Sequence, residues 1–315
     1  MMFMLLGCLS LYAADNDLIT KQITIEMEKA GTLPDRIASS KKYKITNLKI
    51  IGEINGTDLK MIREMAGSNN TYGKLSVLDL SEARIVEGGD YYYYNDNINN
   101  YYYTSNDVIG SYAFKGCSRL TSLTLSAGIT EIGKYAFSDC SGLTSLTIPA
   151  GITEIGAWAF EDCSGLTSLT LPAGITEIGD AAFAGCSGLT SLTLPAGITS
   201  ISDGTFRDCS GLTSIYVYEE KVPIIGSNVF KGCDAKKCTV YVPMGTYNDY
   251  RLSEFGDYFE NIVEFDVTGI DKTTTSTDIE EVARYSVNGQ RLSAPTKGLN
   301  IVKYSNGSVK KVAVR

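Results

Sequence analysis

The chain has 315 residues, of which 43% are hydrophobic and 20% are charged, as in ordinary folded proteins. The formal net charge of −8 argues against a nucleic-acid-binding protein, because such a protein needs a broad basic surface. The sequence contains no histidine, so the commonest general base is missing and no Ser-His or Cys-His pair can form. We therefore predict a protein that is not an enzyme and that uses no cofactor and no metal ion.

Residues 1–14 resemble a secretory signal peptide. The segment MMFMLLGCLSLYAA is apolar and ends in small residues, and polar sequence comes after it. We expect cleavage near Ala13 or Ala14, and lipidation at Cys8 is the alternative. No stretch of the chain reaches the roughly 18 consecutive apolar residues of a membrane-spanning helix. The segment therefore predicts secretion or display at the cell surface.

Residues 15–74 are predicted to form an N-terminal cap. The pieces ITIEM and ITNLKI have the alternation of strands, and Asp58 to Met65 favours a helix. Such a cap is expected because the first turn of a repeat array would otherwise expose its apolar end.

A tyrosine-rich insertion at residues 90–106 interrupts the first, degenerate repeat, which is written as KLSVLDLSEARI and then as DVIGSYAFKGC. Tyrosine offers a large contact area at a low cost in conformational entropy, so binding loops favour it. The other interpretation is a flexible asparagine-rich loop whose tyrosines lie back on the flank of the array. The tyrosines of the insertion are Tyr91, Tyr92, Tyr93, Tyr94, Tyr101, Tyr102 and Tyr103.

Residues 75–237 are predicted to form the repeat array itself. A 23-residue unit recurs four times without a gap between Leu120 and Gly211, and one copy reads LTSLTLPAGITEIGDAAFAGCSG. The period and the L-x-x-L-x-L spacing are a leucine-rich-repeat signature, in which each copy is one turn of a solenoid. We predict a β-rich solenoid with parallel strands. The residues of one turn that should point inward are Leu169, Leu171, Ile175, Ile178, Phe183 and Cys186.

One cysteine recurs at the same position of every repeat. Adjacent turns are about 4.8 Å apart, which is within disulfide distance, but side chains that point the same way rarely reach the disulfide torsion. We therefore predict a buried column of free thiols. The pair Cys233 and Cys238 is the only candidate for a disulfide. The cysteine column consists of Cys117, Cys140, Cys163, Cys186 and Cys209, and Cys233 comes after it.

Tyr112, Tyr135 and Trp158 share one repeat position, two residues before the conserved phenylalanine of the repeat, and Ala181 occupies it in the next copy. Aromatic rings at this spacing form a stripe that can bind a partner or stack on sugar rings. In the alternative interpretation each ring merely covers the neighbouring turn. Because the insertion returns just before Tyr112, we predict that the insertion and the stripe form one aromatic binding surface.

Two further columns have simpler explanations. Glu131, Glu154 and Glu177 could bind calcium through their carboxylates, but one ligand per turn supplies too few oxygens, so a solvated face is predicted. The outward hydroxyl column could order water, although threonine is also a good former of soluble strands. That column consists of Ser122, Ser145, Ser168 and Ser191 with Thr124, Thr147, Thr170 and Thr193.

The last quarter of the chain departs from the repeat. Residues 238–266 are rich in aromatic residues and are predicted to cap the array, and residues 267–280 read as a polar linker. Residues 281–315 contain two Asn-Gly dipeptides between alternating runs, which predicts a tail of β-hairpins. The part of this tail from residue 282 onward carries seven basic and no acidic residues, whereas residues 120–211 have a net charge of −7.

The repeat pattern A-F-x-x-C-x-x-L-T-S-L-x-L-P resembles that of the BspA-like leucine-rich-repeat family of bacterial surface proteins. The segments CTVYVPMGTYNDY and NGQRL also resemble the sequence that succeeds the array in that family, and the tail resembles a type IX secretion sorting module. The resemblance implies a Gram-negative surface protein that mediates adhesion by binding a host protein, another extracellular protein or a surface glycan. We expect a monomer. A structural or antigenic coat protein and a carbohydrate-binding accessory protein are the alternatives.

Overall fold

The computed structural model describes residues 18–68 and 71–266, and beyond them only the four strands of the tail. The predicted signal peptide and the linker at 267–280 lie outside the described residues. The chain divides into two compact units, Met1–Val267 and Thr268–Arg315. Within the described residues, no helix is long and apolar enough to cross a membrane.

The N-terminal region forms β1 (Ile23–Met27), α1 (Leu33–Arg36), β2 (Asn47–Ile54) and α2 (Gly56–Met65). The helix α2 begins two residues before the predicted Asp58, because the side chain of Asn55 accepts a hydrogen bond from the Thr57 amide and caps the helix. The buried carboxylate of Asp58 accepts hydrogen bonds from the amides of Asn55, Gly31 and Leu33. This one side chain therefore ties α2 to the segment that leads into α1.

The degenerate first repeat contributes β3 (Val77–Ile85), then a hairpin of β4 (Gly88–Asn95) and β5 (Asn100–Thr104), and then β6 (Val108–Ile109). The strands β1, β2 and β3 pair in parallel, and β3 continues the sheet into the regular repeats. The N-terminal region thus adds two strands to the sheet of the solenoid.

Each regular repeat supplies one strand from its L-T-S-L-T-L piece and a second, two-residue strand from its I-T-E-I piece. Equivalent strands of neighbouring repeats pair in parallel, with Ser168 opposite Ser191 in the first series and Glu154 opposite Glu177 in the second. The predicted solenoid of parallel strands is confirmed. The strands are β7 (Ser122–Thr124), β8 (Glu131–Ile132), β9 (Ser145–Leu146), β10 (Glu154–Ile155), β11 (Ser168–Thr170), β12 (Glu177–Ile178), β13 (Ser191–Leu194), β14 (Ser200–Ile201), β15 (Ser214–Val217) and β16 (Ile224–Ile225).

The core consists of columns of identical residues, and all six predicted inward residues of the 166–188 repeat are buried. The phenylalanine rings stack face to face from turn to turn, with centroids 5.0–5.7 Å apart. Thiols of the cysteine column donate to the phenylalanine carbonyl of the preceding turn, as Cys163 Sγ does to Phe137 O at 3.2 Å. All five are free and buried. Cys233 and Cys238 are also free thiols, so the candidate disulfide is not formed.

Beyond the repeats lie β17 (Thr239–Pro243), α3 (Tyr247–Arg251), α4 (Glu254–Tyr258) and β18 (Asn261–Phe265). The strands β17 and β18 extend the main sheet in parallel, and the aromatic rings of Phe255 and Phe259 pack on Phe230, the last member of the phenylalanine column. The second unit contains the antiparallel strands β19 (Glu281–Ser286), β20 (Arg291–Leu292), β21 (Gly298–Tyr304) and β22 (Val309–Val314).

Candidate binding surface

The tyrosine-rich insertion forms an antiparallel hairpin. Tyr93 pairs with Tyr102 and Tyr94 with Tyr101 across β4 and β5, and residues 96–99 form the turn. The hairpin rests on α2, where the Asp90 amide donates to Thr57 Oγ1 at 2.9 Å. Tyrosine has a high strand propensity, and this accounts for strand formation in a run without apolar alternation.

Tyr92 anchors the hairpin to the solenoid. Its side chain is only 4% exposed, and its hydroxyl donates to the carbonyl of Ser111 at 2.8 Å. A Cβ atom on Gly110 would lie 2.4 Å from this hydroxyl, so glycine is required there for Tyr92 to enter. Burial raises the pKa of Tyr92 above its ordinary value. Tyr92 was predicted to be a binding residue, but its side chain belongs to the core, and the pairing of β4 with β5 is irregular next to it, with a register shift between Gly88 and Tyr93.

The hairpin and the predicted stripe meet in one row of stacked rings. Tyr93 stacks on Tyr112 with ring centroids 4.7 Å apart, Tyr112 on Tyr135 at 5.0 Å, and Tyr135 on Trp158 at 5.1 Å. Planes within the row differ by 5–13°. Tyr102 lies beside the row, 4.8 Å from the ring of Tyr112. We call Tyr93, Tyr112, Tyr135 and Trp158 the aromatic row.

The other tyrosines of the hairpin form an outer cluster. The ring of Tyr101 contacts Tyr91 at 4.8 Å and Tyr94 at 4.6 Å between centroids. Tyr94, Tyr101 and Tyr103 are 38%, 47% and 56% exposed. The hairpin cluster, consisting of Tyr91, Tyr94, Tyr101 and Tyr103, is thus the more exposed part of the aromatic surface, and the aromatic row is half-buried.

The backbone conformation of the aromatic row is unusual for large side chains. Tyr112, Tyr135 and Trp158 have φ angles of 63°, 55° and 55°, in the left-handed region that favours glycine. The equivalent positions of the later repeats are Ala181, with φ 50°, and then Gly204 and Asn228, of which glycine and asparagine adopt this conformation at the lowest cost. The turn of the repeat therefore requires the left-handed conformation at this position. The aromatic side chains occupy the position although this conformation costs them more than it costs glycine.

Cations of the chain lie on ring faces of the same surface. The guanidinium of Arg63 lies 5.0 Å from the ring centroid of Tyr93, and its Nη1 donates to the carbonyls of Tyr112 and Ala113. Lys60 Nζ lies 4.3 Å from the centroid of Tyr91. Arg63 is only 2% exposed, so it acts as a buried support under the junction of hairpin and row.

The hydroxyl groups of Tyr112 and Tyr135 stay protonated at neutral pH. Burial, together with the neighbouring Tyr102, raises the pKa of Tyr112 to about 12. Burial, together with the carboxylate of Glu161, raises the pKa of Tyr135. Both side chains can therefore donate as well as accept hydrogen bonds.

A second aromatic cluster lies at the C-terminal end of the main sheet and was not predicted. Tyr216 and Tyr241 continue the outward threonine column, opposite Thr193 and each other, and their rings stack at 4.6 Å. The ring of Phe265 meets both edge-on. The signal in the sequence is the replacement of L-T-S-L-T-L by S-I-Y-V and T-V-Y-V.

The remaining candidate columns lie at the surface, and the members of the hydroxyl column are exposed or half-buried. Glu131, Glu154 and Glu177 all face solvent, as predicted for a solvated column. In residues 18–68 and 71–266, no group of three or more Cys, Asp or Glu side chains is arranged to hold a metal ion.

Solved structures of bacterial leucine-rich-repeat proteins are similar to this chain. They include the T. pallidum leucine-rich repeat protein (24% identity, 50% of this chain, 79% of that one, TM-score 0.36). A leucine rich cell surface protein of Faecalibacterium prausnitzii has 23% identity over 66% of this chain and 49% of its own, with a TM-score of 0.35. The pneumococcal vaccine antigen PcpA has 17% identity over 78% of this chain and 68% of its own, with a TM-score of 0.39.

The chain thus spans about half of the F. prausnitzii protein. No curated protein matches the sequence.

The family described as "BspA type Leucine rich repeat region" matches residues 107–239 in six copies. These residues have the stacked parallel turns and buried Leu, Ile, Phe and Cys columns described above. Residues 107–239 therefore match this family in both sequence and repeat architecture.

Proposed function

We propose that the protein is a binding scaffold displayed outside a bacterial cell, and that it recognises another protein through the hairpin cluster and the aromatic row. The observation that carries the proposal is the left-handed backbone of Tyr112, Tyr135 and Trp158. A residue other than glycine costs about 1–2 kcal/mol in this conformation. Strain that persists where a cheaper residue is available supports a functional role for the side chain.

Stacking offsets this cost without exceeding it by much. One aromatic pair contributes about 0.5–1.5 kcal/mol beyond burial. The row has three such contacts, and its strained members are also three. Gain and cost are therefore of similar size, so stability alone gives little reason to place aromatic residues here. Tyrosine and tryptophan are the residue types that dominate the energetics of protein interfaces, which supports a role in recognition.

The hairpin cluster supplies the exposed part of this surface at a low entropic cost. Tyr92 and the contact of Asp90 with Thr57 hold the hairpin in place before any partner arrives. Preorganisation of this kind lowers the cost of binding. The exposed rings of Tyr94 and Tyr101 are thus the proposed first points of contact.

Display outside the cell is part of the proposal. It is supported by the resemblance of the repeats to those of bacterial surface proteins and by the signal-like residues 1–14. We further propose that the protein is made by a Gram-negative bacterium, in which residues 281–315 act as a type IX sorting module. Removal of these residues should leave the solenoid folded but change the location of the protein. Equal surface labelling of the truncated and the full-length chain in the bacterium that makes the protein would contradict the sorting role.

The binding proposal is tested by screening the purified protein against extracellular host proteins and a glycan array. The double variant Tyr94→Ala, Tyr101→Ala should weaken binding of a protein partner by about tenfold or more, as expected for interface hot spots. Tyr72→Ala is the matched control, because Tyr72 is 86% exposed and belongs to neither part of the surface.

A protein partner that binds the double variant and the parent equally well would contradict this site. Binding to glycans alone would favour the carbohydrate-binding alternative. No binding in either screen would contradict the proposal and leave a structural or antigenic coat protein as the better interpretation.

A further inference from the structure

The ring faces of the aromatic row are almost all occupied by the chain itself. Within the row each ring is stacked on its neighbours, and cations of the chain contact Tyr91, Tyr93 and Tyr135. Trp158 is the exception. One face of its indole stacks on Tyr135, and among the described residues no ring and no cation lies over the other face. We call this the outer face of Trp158.

The row ends at this face because the next repeats carry small residues. Ala181 and Gly204 take the positions that Tyr135 and Trp158 occupy in their own repeats. The Trp158 amide donates to the carbonyl of Asp180 at 2.8 Å, which fixes the two turns side by side. An incoming planar group can therefore stack where the fourth ring of the repeats would have been.

The surroundings of the outer face are acidic. From residue 135 to residue 206 the chain has seven acidic residues and no lysine or arginine. Asp180 lies in the adjoining turn and is exposed, and the Glu161 amide donates to the carbonyl of Trp158. The charges of Lys115 and Arg207 also act on Glu161, so this carboxylate is partly compensated. An aromatic face beside carboxylates attracts a cation more strongly than either feature does alone.

We propose that the outer face of Trp158 binds an arginine or lysine side chain of the protein partner. The inference rests on the proposed function, since it names the group by which the partner docks. The chain already uses the same contact three times on this surface, with Lys60, Arg63 and Lys115 as the cations. Tryptophan is the best of the aromatic side chains for such a contact, and arginine adds planar stacking.

The first test uses the fact that the chain contains one tryptophan. Quenching of its fluorescence by caesium and by iodide is measured at constant ionic strength and compared with N-acetyltryptophanamide. We expect caesium to quench Trp158 relatively better than iodide does. The variants Asp180→Asn and Glu161→Gln should lower this preference, and the control Asp257→Asn on α4 should leave it unchanged. A preference for iodide would overturn the proposal.

The second test uses a fluorescein-labelled tetra-arginine peptide and its neutral tetra-citrulline counterpart, with anisotropy as the readout. The arginine peptide should bind more tightly, and Trp158→Leu should weaken its binding by about 2- to 30-fold, the range of one cation–π contact. Trp158→Tyr keeps a ring face and should retain part of the affinity, which guards against a folding defect in the leucine variant.

Equal affinity for both peptides, or binding of the arginine peptide that neither Trp158 variant changes, would overturn the cation site. The proposed function would survive that result if the screened partner still depended on Tyr94 and Tyr101. Conversely, loss of the proposed function would appear as a partner that is insensitive to the Tyr94 and Tyr101 double variant. The two failures are therefore distinguishable.

Discussion

Raising the pH should unfold this protein through its cysteine column. Burial raises the pKa of Cys117 to about 11 and that of Cys186 to about 12, and it raises the pKa of Cys140, Cys163 and Cys209 well above the ordinary value. In the unfolded chain a cysteine titrates near about 8.5. At a pH between the pKa of a free cysteine and the raised pKa values of the folded protein, the unfolded chain loses protons that the folded protein keeps.

The sign of the effect is set by proton linkage. Because the folded pKa is the higher one, stability is complete below about pH 8.5 and falls as the pH rises toward the folded pKa. Each thiol then costs about 1.4 kcal/mol per pH unit, so the five together cost about 7 kcal/mol per unit. Between pH 7 and pH 10 the loss is about 2 kcal/mol per thiol and about 10 kcal/mol in total. This is comparable with the whole stability of a typical domain, about 5–15 kcal/mol.

The assay is urea denaturation monitored by circular dichroism from pH 7 to pH 10, with a phosphine reductant present to prevent oxidation. The variant Cys163→Ala removes one titrating group and should reduce the pH slope of the unfolding free energy by about 1.4 kcal/mol per unit. Ile155→Val is the matched control, since it trims the core in a neighbouring position without removing a thiol, and its slope should equal that of the parent. An unfolding free energy that does not change up to pH 10 would refute the buried-thiol argument.

Three further outcomes are expected. Phe160→Ala should lower the unfolding free energy by about 3–5 kcal/mol, because it opens a cavity between two turns, and an unchanged urea midpoint would contradict this. Asp58→Ala should cost about 2–4 kcal/mol in the same assay, because it leaves the amides of Asn55, Gly31 and Leu33 without their acceptor. The thiols of the cysteine column should react with iodoacetamide only after unfolding, and disulfides between neighbouring members found by mass spectrometry would contradict that prediction.

The period of the sequence was sufficient to predict the solenoid, because a repeated unit must place each of its residues in an equivalent environment. The inward position of Phe183 and Cys186 can be inferred from the unit alone, and both are buried. Details set by single side chains were not accessible in this way. The start of α2 at Gly56 depends on the cap formed by Asn55, which lies outside the apolar pattern used to find the helix.

The aromatic surface was predicted in part. The shared repeat position of Tyr112, Tyr135 and Trp158 was visible in the sequence, and so was the return of the insertion beside Tyr112. A run of four tyrosines carries no alternation, however, so the sequence could not reveal that Tyr92 faces the core. Tyr216 and Tyr241 were missed because the repeats that carry them have lost the regular unit, and only their alignment with Thr193 identifies their outward position.

Adjacent turns of the solenoid are about 5 Å apart, and this spacing constrains any column of aromatic residues built on it. This spacing is also the distance at which rings stack, so aromatic residues in successive turns cover one another's faces. Such a column offers ring edges and hydroxyl groups along its length and a free face only at an end. Here one end is closed, because Tyr93 of the hairpin stacks on Tyr112 and Arg63 lies against Tyr93. The other end is Trp158. Recognition by a ring face is thereby directed to one residue, and the tyrosines along the row contribute contact area and hydrogen bonds around it.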